Sequence, residues 1–353
     1  MTVQTNTIES IKEYYGSVLQ GNADLKTSAC YSTGEGLSPR VKQAMREIND
    51  DVLNRFYGCG SPIPPLLDGC TVLDLGCGSG RDVYVASRLA GPCGNIIGVD
   101  MTDAQLDVAR RNVASQMRRF GYARTNVEFL YGYMENLAAI GIQENIADVV
   151  ISNCVLNLSP DKEAVFSEIF RVLKPGGELY FSDVFAGSRI PDALQNDPVL
   201  RGECLSGALY LEDFRRMLQR VGCLDYRVLS SRRIDIGSAE IEARIGMIDF
   251  YSVTVRAFKL AGLEDRCEDY GQVATYRGGI EDGMHFFDLD DHHRFYRDKP
   301  MLVCGNTAAM LQETRYAPYF DVRGDRSRHF GPFACAPGGS GTADRERGKV
   351  ACC

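Results

Sequence analysis

The sequence predicts an α/β fold: a parallel sheet with helices on both faces and a ligand site at the C-terminal ends of the strands. Three observations lead there. Residues 72–81 (V-L-D-L-G-C-G-S-G-R) pass from an apolar run into glycines at alternate positions, Gly76, Gly78 and Gly80, ahead of a helix-compatible segment at 81–89. This is a buried strand breaking into a turn whose backbone must approach a ligand closely, with helix N–H groups behind it. Next, Asp100 closes the following apolar run, 95–100, where a carboxylate suits the two hydroxyls of a ribose. Last, strand and helix patterns alternate from 69 to 185.

The elements follow in order. Residues 8–20 carry Ile8, Ile11, Tyr15, Val18 and Leu19 at helical spacing, and the polar stretch 24–33, with Cys30, reads as a loop. Ser38-Pro39 opens a second helix, Pro39 at its first position, running to about Arg55. R-F-Y-G-C-G at 55–60 and the prolines after it put Cys59 on irregular backbone, where a thiol is exposed and adaptable. Thr102 reads as the N-cap of a helix through about Arg118, and 126–133 as the third strand. Residues 147–156 read as the fourth strand, with Asn153 and Cys154 at its tip. Asp161 starts a helix to Leu173 that K-P-G-G (174–177) stops, and 178–185 is the fifth strand. Cys204 lies in an insertion-like stretch before a helix at 211–221, and 225–229 and 248–260 close the sheet. His292-His293 reads as a solvated turn, and from about Gly324 the composition suits a flexible tail ending in Cys352-Cys353.

Composition narrows the function classes. A hydrophobic share of 44% and a charged share of 24% are those of an ordinary globular protein. The net charge of −8 argues against nucleic acid as a partner. With no run of ~18 apolar residues and no basic-plus-apolar leader, no membrane partner is expected, and the expected location is cytoplasmic. The 13 cysteines are unusual, yet none form C-x-x-C, so no structural metal is expected. Cys77 and Cys223 read as small buried hydrophobes.

The glycine loop excludes two ligand classes. A dinucleotide fingerprint needs glycine where Arg81 stands, and a P-loop needs a G-K-[ST] ending. The remaining pattern, D-x-G-x-G-x-G with a second acid after strand two, resembles the seven-stranded S-adenosylmethionine (SAM) methyltransferases. Other stretches are more specific: Y-Y-G-S-V-L-Q (14–20), D-L-K-T-S-A-C (24–30), R-F-Y-G-C-G (55–60) and V-I-S-N-C-V-L-N-L (150–158). Together these look like the arsenite methyltransferases, over roughly residues 8–325.

That resemblance implies a seven-stranded Rossmann-like class I SAM methyltransferase sheet with N-terminal helices, an inserted metalloid-binding region and a small C-terminal domain. The segments are then 1–68, helical with Cys30 and Cys59; 69–185, the SAM-binding core; 186–260, the As(III)-binding insertion and closing strands; 261–325, the C-terminal domain; and 326–353, the tail. It implies four functional cysteines. Cys154 and Cys204 are the persistent arsenic ligands, Cys59 supplies the third thiolate, and Cys30 pairs with Cys59 in a disulfide that returns oxidised arsenic to the trivalent state. Tyr57, Asp74, Gly76, Gly78, Asp100, Met101, Met134 and Asn153 are the implied SAM contacts, with Asp74 bonding the loop amides or, through water, the methionine amine. The implied substrate is As(III) or its thiol conjugates, with thioredoxin or glutathione as reductant and a monomeric enzyme. The chemistry agrees: As(III) is soft and prefers thiolates, and three of them leave its lone pair free to attack a sulfonium methyl without a general base. Two other readings stay open. A C-methyltransferase of the quinone or sterol type shares the loop but has no use for Cys154 and Cys204. A non-catalytic thiol-rich arsenite-binding protein would not bind SAM.

Overall fold

The computed structural model describes residues 37–334 other than 56, 57, 59, 61 and 196. Cys30, Tyr57, Cys59, the expected helix over 8–20 and the segment from 335 onward lie outside the described residues. Helix α1 (Pro39–Arg46) opens as expected, with Ser38 Oγ accepting the Val41 N–H at 3.2 Å. It does not run on to Arg55. The chain breaks at 47–49 and restarts as α2 (Asp50–Leu53). Asn49 gives its backbone N–H to Gln116 and its amide to Asn112 and Ser115, an alternative to continued helix that Asn side chains favour.

The predicted alternation then appears: β1 (Thr71–Leu75), α3 (Arg81–Ala90), β2 (Asn95–Asp100), α4 (Asp103–Phe120), β3 (Val127–Tyr131), β4 (Ala147–Asn153), α5 (Lys162–Val172) and β5 (Leu173–Ala186). Strands β3 and β4 end earlier than expected, and K-P-G-G belongs to the start of β5 behind a register shift opposite Ala147 and Val149. Beyond β5 come α6 (Asp192–Gln195), α7 (Pro198–Gly202), β6 (Leu209–Tyr210), α8 (Leu211–Arg220), β7 (Tyr226–Arg233), α9 (Ala239–Ile245) and β8 (Phe250–Phe258).

Seven strands run in the order β3-β2-β1-β4-β5-β8-β7, with the two-residue β6 beside β5. Strands β1 to β5 are parallel, but β8 is antiparallel to both β5 and β7. The sheet is therefore mixed where the alternation predicted a parallel one. The short link through α9 explains the difference, because antiparallel neighbours need no long crossover. Alternate residues bury opposite faces: Val72, Val149 and Ile151 against the layer holding α1, α3 and α4, and Leu73, Val150 and Phe181 against α5 and α8.

The C-terminal segment contains β9 (Glu268–Asp269), β10 (Gln272–Tyr276), β11 (Phe286–Asp288), β12 (Arg294–Tyr296), β13 (Pro300–Val303), α10 (Gly305–Gln312), β14 (Phe320–Arg323) and β15 (Gly331–Pro332). Its own core gathers Tyr276, Phe287, Phe295, Tyr316 and Phe320. Two sequence expectations change here. His293 is buried, its Nδ1 2.8 Å from Asp290, whose carboxylate also meets the buried Arg227 at 3.2 Å, so it is not part of a solvated turn. The tail expected from 326 is paired as far as β15, which runs antiparallel to β9, and Phe333 N–H reaches Cys267 O.

Charge joins this segment to the sheet. Glu178 on β5 is fully buried, accepts Arg256 Nε at 2.7 Å and the Tyr316 hydroxyl at 3.0 Å, and pairs with Arg315. Arg256 lies between the rings of Tyr180, Phe287 and Tyr316. Removing the acid strands two guanidiniums in a low-dielectric interior. Glu178→Ala should lower the unfolding free energy in urea by roughly 3–5 kcal/mol; a loss below about 1 kcal/mol would show that the junction is not held by this network.

Candidate active site

Strand order reverses at β1, whose neighbours are β2 and β4, so the loops leaving β1 and β4 diverge and open a crevice. The register Leu75↔Ser152 sets Gly76 beside Asn153, and Ser152 Oγ donates to Leu75 O at 2.8 Å. Gly76 has φ +71, and a Cβ there would collide with Val155 of the opposing loop. Gly78, at φ +52, faces open space and gives its N–H to Asp100 Oδ2 at 2.9 Å, while Asp100 Oδ1 accepts the Thr102 N–H at 2.8 Å. The acid at the end of β2 thus holds the loop in shape as well as facing the cleft.

Asp74, Gly76, Gly78, Asp100, Met101, Met134 and Asn153 all line this cleft, so every described residue expected to contact the cofactor is brought together. Gln105, Glu135 and Ser159 join them without having been singled out in the sequence, as does Thr102, read there only as a helix N-cap. Of the loop amides, that of Gly78 goes to Asp100. Burial pushes the Asp74 carboxyl well above its usual range, and Asp82 and Asp100 push it the same way. Burial also raises Asp100, against the backbone N–H groups it accepts. Clustered carboxylates at the floor of a cleft favour a cationic ligand, and the open side of Gly78 leaves room for one.

The thiol side adjoins the same strand ends. Asn153 Nδ2 donates to Gly60 O at 3.0 Å and its Oδ1 accepts Gly60 N–H at 3.3 Å, so the sequence neighbours of Cys59 and Cys154 are joined directly. Cys154 and Cys204 are both buried, in one apolar cluster, with Cys204 Sγ 3.8 Å from Cys154 O. Both sit in left-handed backbone, φ +58 and +59, two of only five non-glycine residues with positive φ among those described. Such conformations cost about 1–3 kcal/mol each and persist where the surroundings impose them.

The imposing contacts are visible. Asp183 of β5 accepts Asn157 N–H at 3.2 Å and Asn157 Nδ2 at 2.8 Å, and Asn157 also reaches Val184 O. Gly207 packs so closely on Asn157 O that no Cβ would fit. The turn after Cys154 and the turn after Cys204 are thereby pressed together. Asn157, Asp183 and Gly207 were not read from the sequence. The one signal was Ser182-Asp183, polar residues ending an apolar strand. Burial pushes Asp183 up to about 6. Cys204 is a thiol, whereas Cys154 is disulfide-bonded.

Comparisons with known proteins agree with this geometry. A methyltransferase-domain family model matches residues 66–222, and an arsenite methyltransferase C-terminal-domain model matches 270–342. An arsenite methyltransferase of Aquipseudomonas alcaligenes is 50% identical over 94% of this chain and 95% of its own length. One from Mus musculus is 41% identical over 88% of this chain and 82% of its own. The crystal structure of an arsenic(III) SAM methyltransferase from Chlamydomonas reinhardtii superimposes with a TM-score of 0.82 at 50% identity, covering 85% of this chain and all of that one. A demethylmenaquinone methyltransferase of Lactococcus lactis, by contrast, matches only 32% of this chain, at 37% identity.

Two predictions arise from the site. Asp100→Ala loses the clamp on Gly78 and the carboxylate expected to take the ribose hydroxyls, and should raise the calorimetric Kd for SAM by about 10–100-fold; a change below threefold would contradict the assignment. Asp183, raised on folding, holds its proton longer in the folded than in the unfolded chain. Its contribution to stability is therefore undiminished below about pH 4, falls as pH rises, and is fully lost above about 6. Asp183→Asn removes that slope. The stability difference between variant and wild type should shift in the variant's favour by on the order of 3 kcal/mol from pH 4 to 7, and a flat difference would refute it.

Proposed function

The chain belongs to the arsenite methyltransferase family, and from that membership we propose that it methylates trivalent arsenic, as arsenite and as methylarsenite, held by its own cysteine thiolates. It is a SAM-dependent methyltransferase with a class I fold. No helix among the described residues is long and apolar enough to cross a membrane. The observation that supports the thiolate reading most is the pair Cys154 and Cys204, buried together in left-handed backbone beside the cleft.

Bound SAM supplies a methyl group on a sulfonium centre. When bound, SAM would be held by Asp100 at the ribose hydroxyls, by Gly76 and Gly78 at the methionine part, by the Met134 backbone at adenine, and by Tyr57. The raised carboxyls of Asp74 and Asp100 are relieved by its positive charge. Across the strand tip, Cys154 and Cys204 hold arsenic with Cys59 as the third sulfur. Disulfide-bonded Cys154 must first be reduced: two external thiols give up two electrons and two protons, form one disulfide, and leave two protein thiols. The arsenic lone pair then takes the methyl carbon as the carbon–sulfonium bond breaks. Two cysteine thiolates, Cys30 and Cys59, return the oxidised arsenic to the trivalent state by giving two electrons and closing a disulfide, which thioredoxin or glutathione reopens. Catalysis comes from placement at near-attack distance, since no proton leaves the nucleophile.

The test is SAM turnover to S-adenosylhomocysteine with and without arsenite, in thiol buffer, with arsenic species separated. Turnover should require arsenite and yield methylated arsenic; SAM binding with no such turnover would refute the reading. In the same assay Cys154→Ser and Cys204→Ser should abolish methylation of every arsenical. Cys30→Ser and Cys59→Ser should block arsenite while leaving turnover of methylarsenite. Full activity in Cys204→Ser would overturn the ligand set.

A further inference from the structure

Cys154 and Cys204 stand on turns that the sheet holds, whereas Cys59 belongs to a separate stretch, R-F-Y-G-C-G at 55–60, with anchors on either side. On the N-terminal side, Ser79 Oγ donates to Val52 O at 2.9 Å and reaches Arg55 O at 3.4 Å. These carbonyls lie at the end of α2 and just past it, where a helix leaves acceptors short of partners. On the C-terminal side, Asn153 engages both main-chain groups of Gly60, and a Cβ at Gly60 would collide with the Ser182 side chain of β5. Further on, Ile63 packs in the same apolar layer as Val52, and Arg315 donates to Pro65 O at 3.1 Å.

Ser79 stands apart in this set because it belongs to the glycine loop. It is buried between Gly78 and Gly80, both in left-handed backbone with φ +52 and +88. Asp100 holds the Gly78 N–H, and the hydroxyl of the next residue holds the end of α2. Arg55 and Ser79 both line the cleft, as does Asn153. The first and last residues of R-F-Y-G-C-G are thus tied to two side chains of the cleft wall, one on the β1 loop and one at the tip of β4. A chain fixed at both ends leaves few positions open to what lies between.

We propose that Ser79 is a positioning residue for the third sulfur: from the cofactor loop, its hydroxyl fixes the stretch that brings Cys59 to arsenic. This rests on the thiolate reading above. Arsenite has three oxygens to exchange and takes three thiolates. Methylarsenite keeps its carbon, exchanges two oxygens and takes two. Loss of the Ser79 bond therefore falls on the first methylation and spares the second. Ser79 touches no reacting atom.

The test measures kcat/KM for arsenite and for methylarsenite, at saturating SAM in thiol buffer, in the full-length wild type, Ser79→Ala and Cys59→Ser. Ser79→Ala should lower the arsenite value about 5–10-fold, the worth of one buried hydrogen bond, and leave the methylarsenite value within about twofold. Saturating SAM removes any effect on cofactor affinity, and retained methylarsenite turnover shows that the variant folds. An equal fall for both substrates would make Ser79 a part of the cofactor loop alone and overturn the inference, as would no change in either. Cys59→Ser separates this inference from its premise. If Cys59→Ser blocks arsenite alone while Ser79→Ala leaves the ratio of the two values unchanged, only the role of Ser79 falls. If Cys59→Ser leaves arsenite turnover intact, the third-sulfur reading falls with it.

Discussion

The site depends on the register of three parallel strands. Leu75 of β1 lies against Ser152 of β4, and Ser152 against Phe181 of β5, so all three chains leave the sheet at one level. The β1 loop then carries glycines and an acid partner on β2, β4 carries Asn153 and Cys154, and β5 carries Ser182 and Asp183. A shift of one residue in β4 would turn Asn153 and every other side chain of that strand to the opposite face.

Strain is concentrated where that level is crossed. Cys154 and Cys204 adopt backbone that a Cβ disfavours, and the surroundings over-determine it: Asp183 fixes Asn157, Gly207 admits its carbonyl, and both cysteines pack in one apolar cluster. Burial of Asp183 and Lys162 in ionisable form costs stability near neutral pH. Stability withheld at one place is common at sites that must recognise a ligand. The Glu178 network on the same strand works in the opposite sense, tying β5 to the C-terminal segment through paired charges.

Much of this was legible in the sequence because it lay in local pattern. The glycine run, the acid closing β2 and the apolar strands account for the order of β1 to β5 and for the residues that line the cleft. Less legible was whatever rests on contacts between distant segments. The break at Asn49 comes from Gln116, Asn112 and Ser115 on α4. The burial of His293 depends on Arg227, some sixty residues earlier. The antiparallel β8, the work of Asp100 on Gly78, and the grip of Asp183 and Gly207 on Asn157 likewise have no local signature. Cys204 is singled out by family resemblance alone, since R-G-E-C-L-S-G shows no periodicity that would mark a functional residue.

The account's central claim is that arsenic sits on protein sulfur beside the SAM cleft. Arsenic K-edge X-ray absorption on the reduced full-length protein, loaded with arsenite and S-adenosylhomocysteine, reads this directly. The account predicts a first shell of sulfur alone in the wild type, and an arsenic–oxygen contribution returning in Cys204→Ser. An oxygen shell in the wild type, or a shell unchanged by Cys204→Ser, would contradict it.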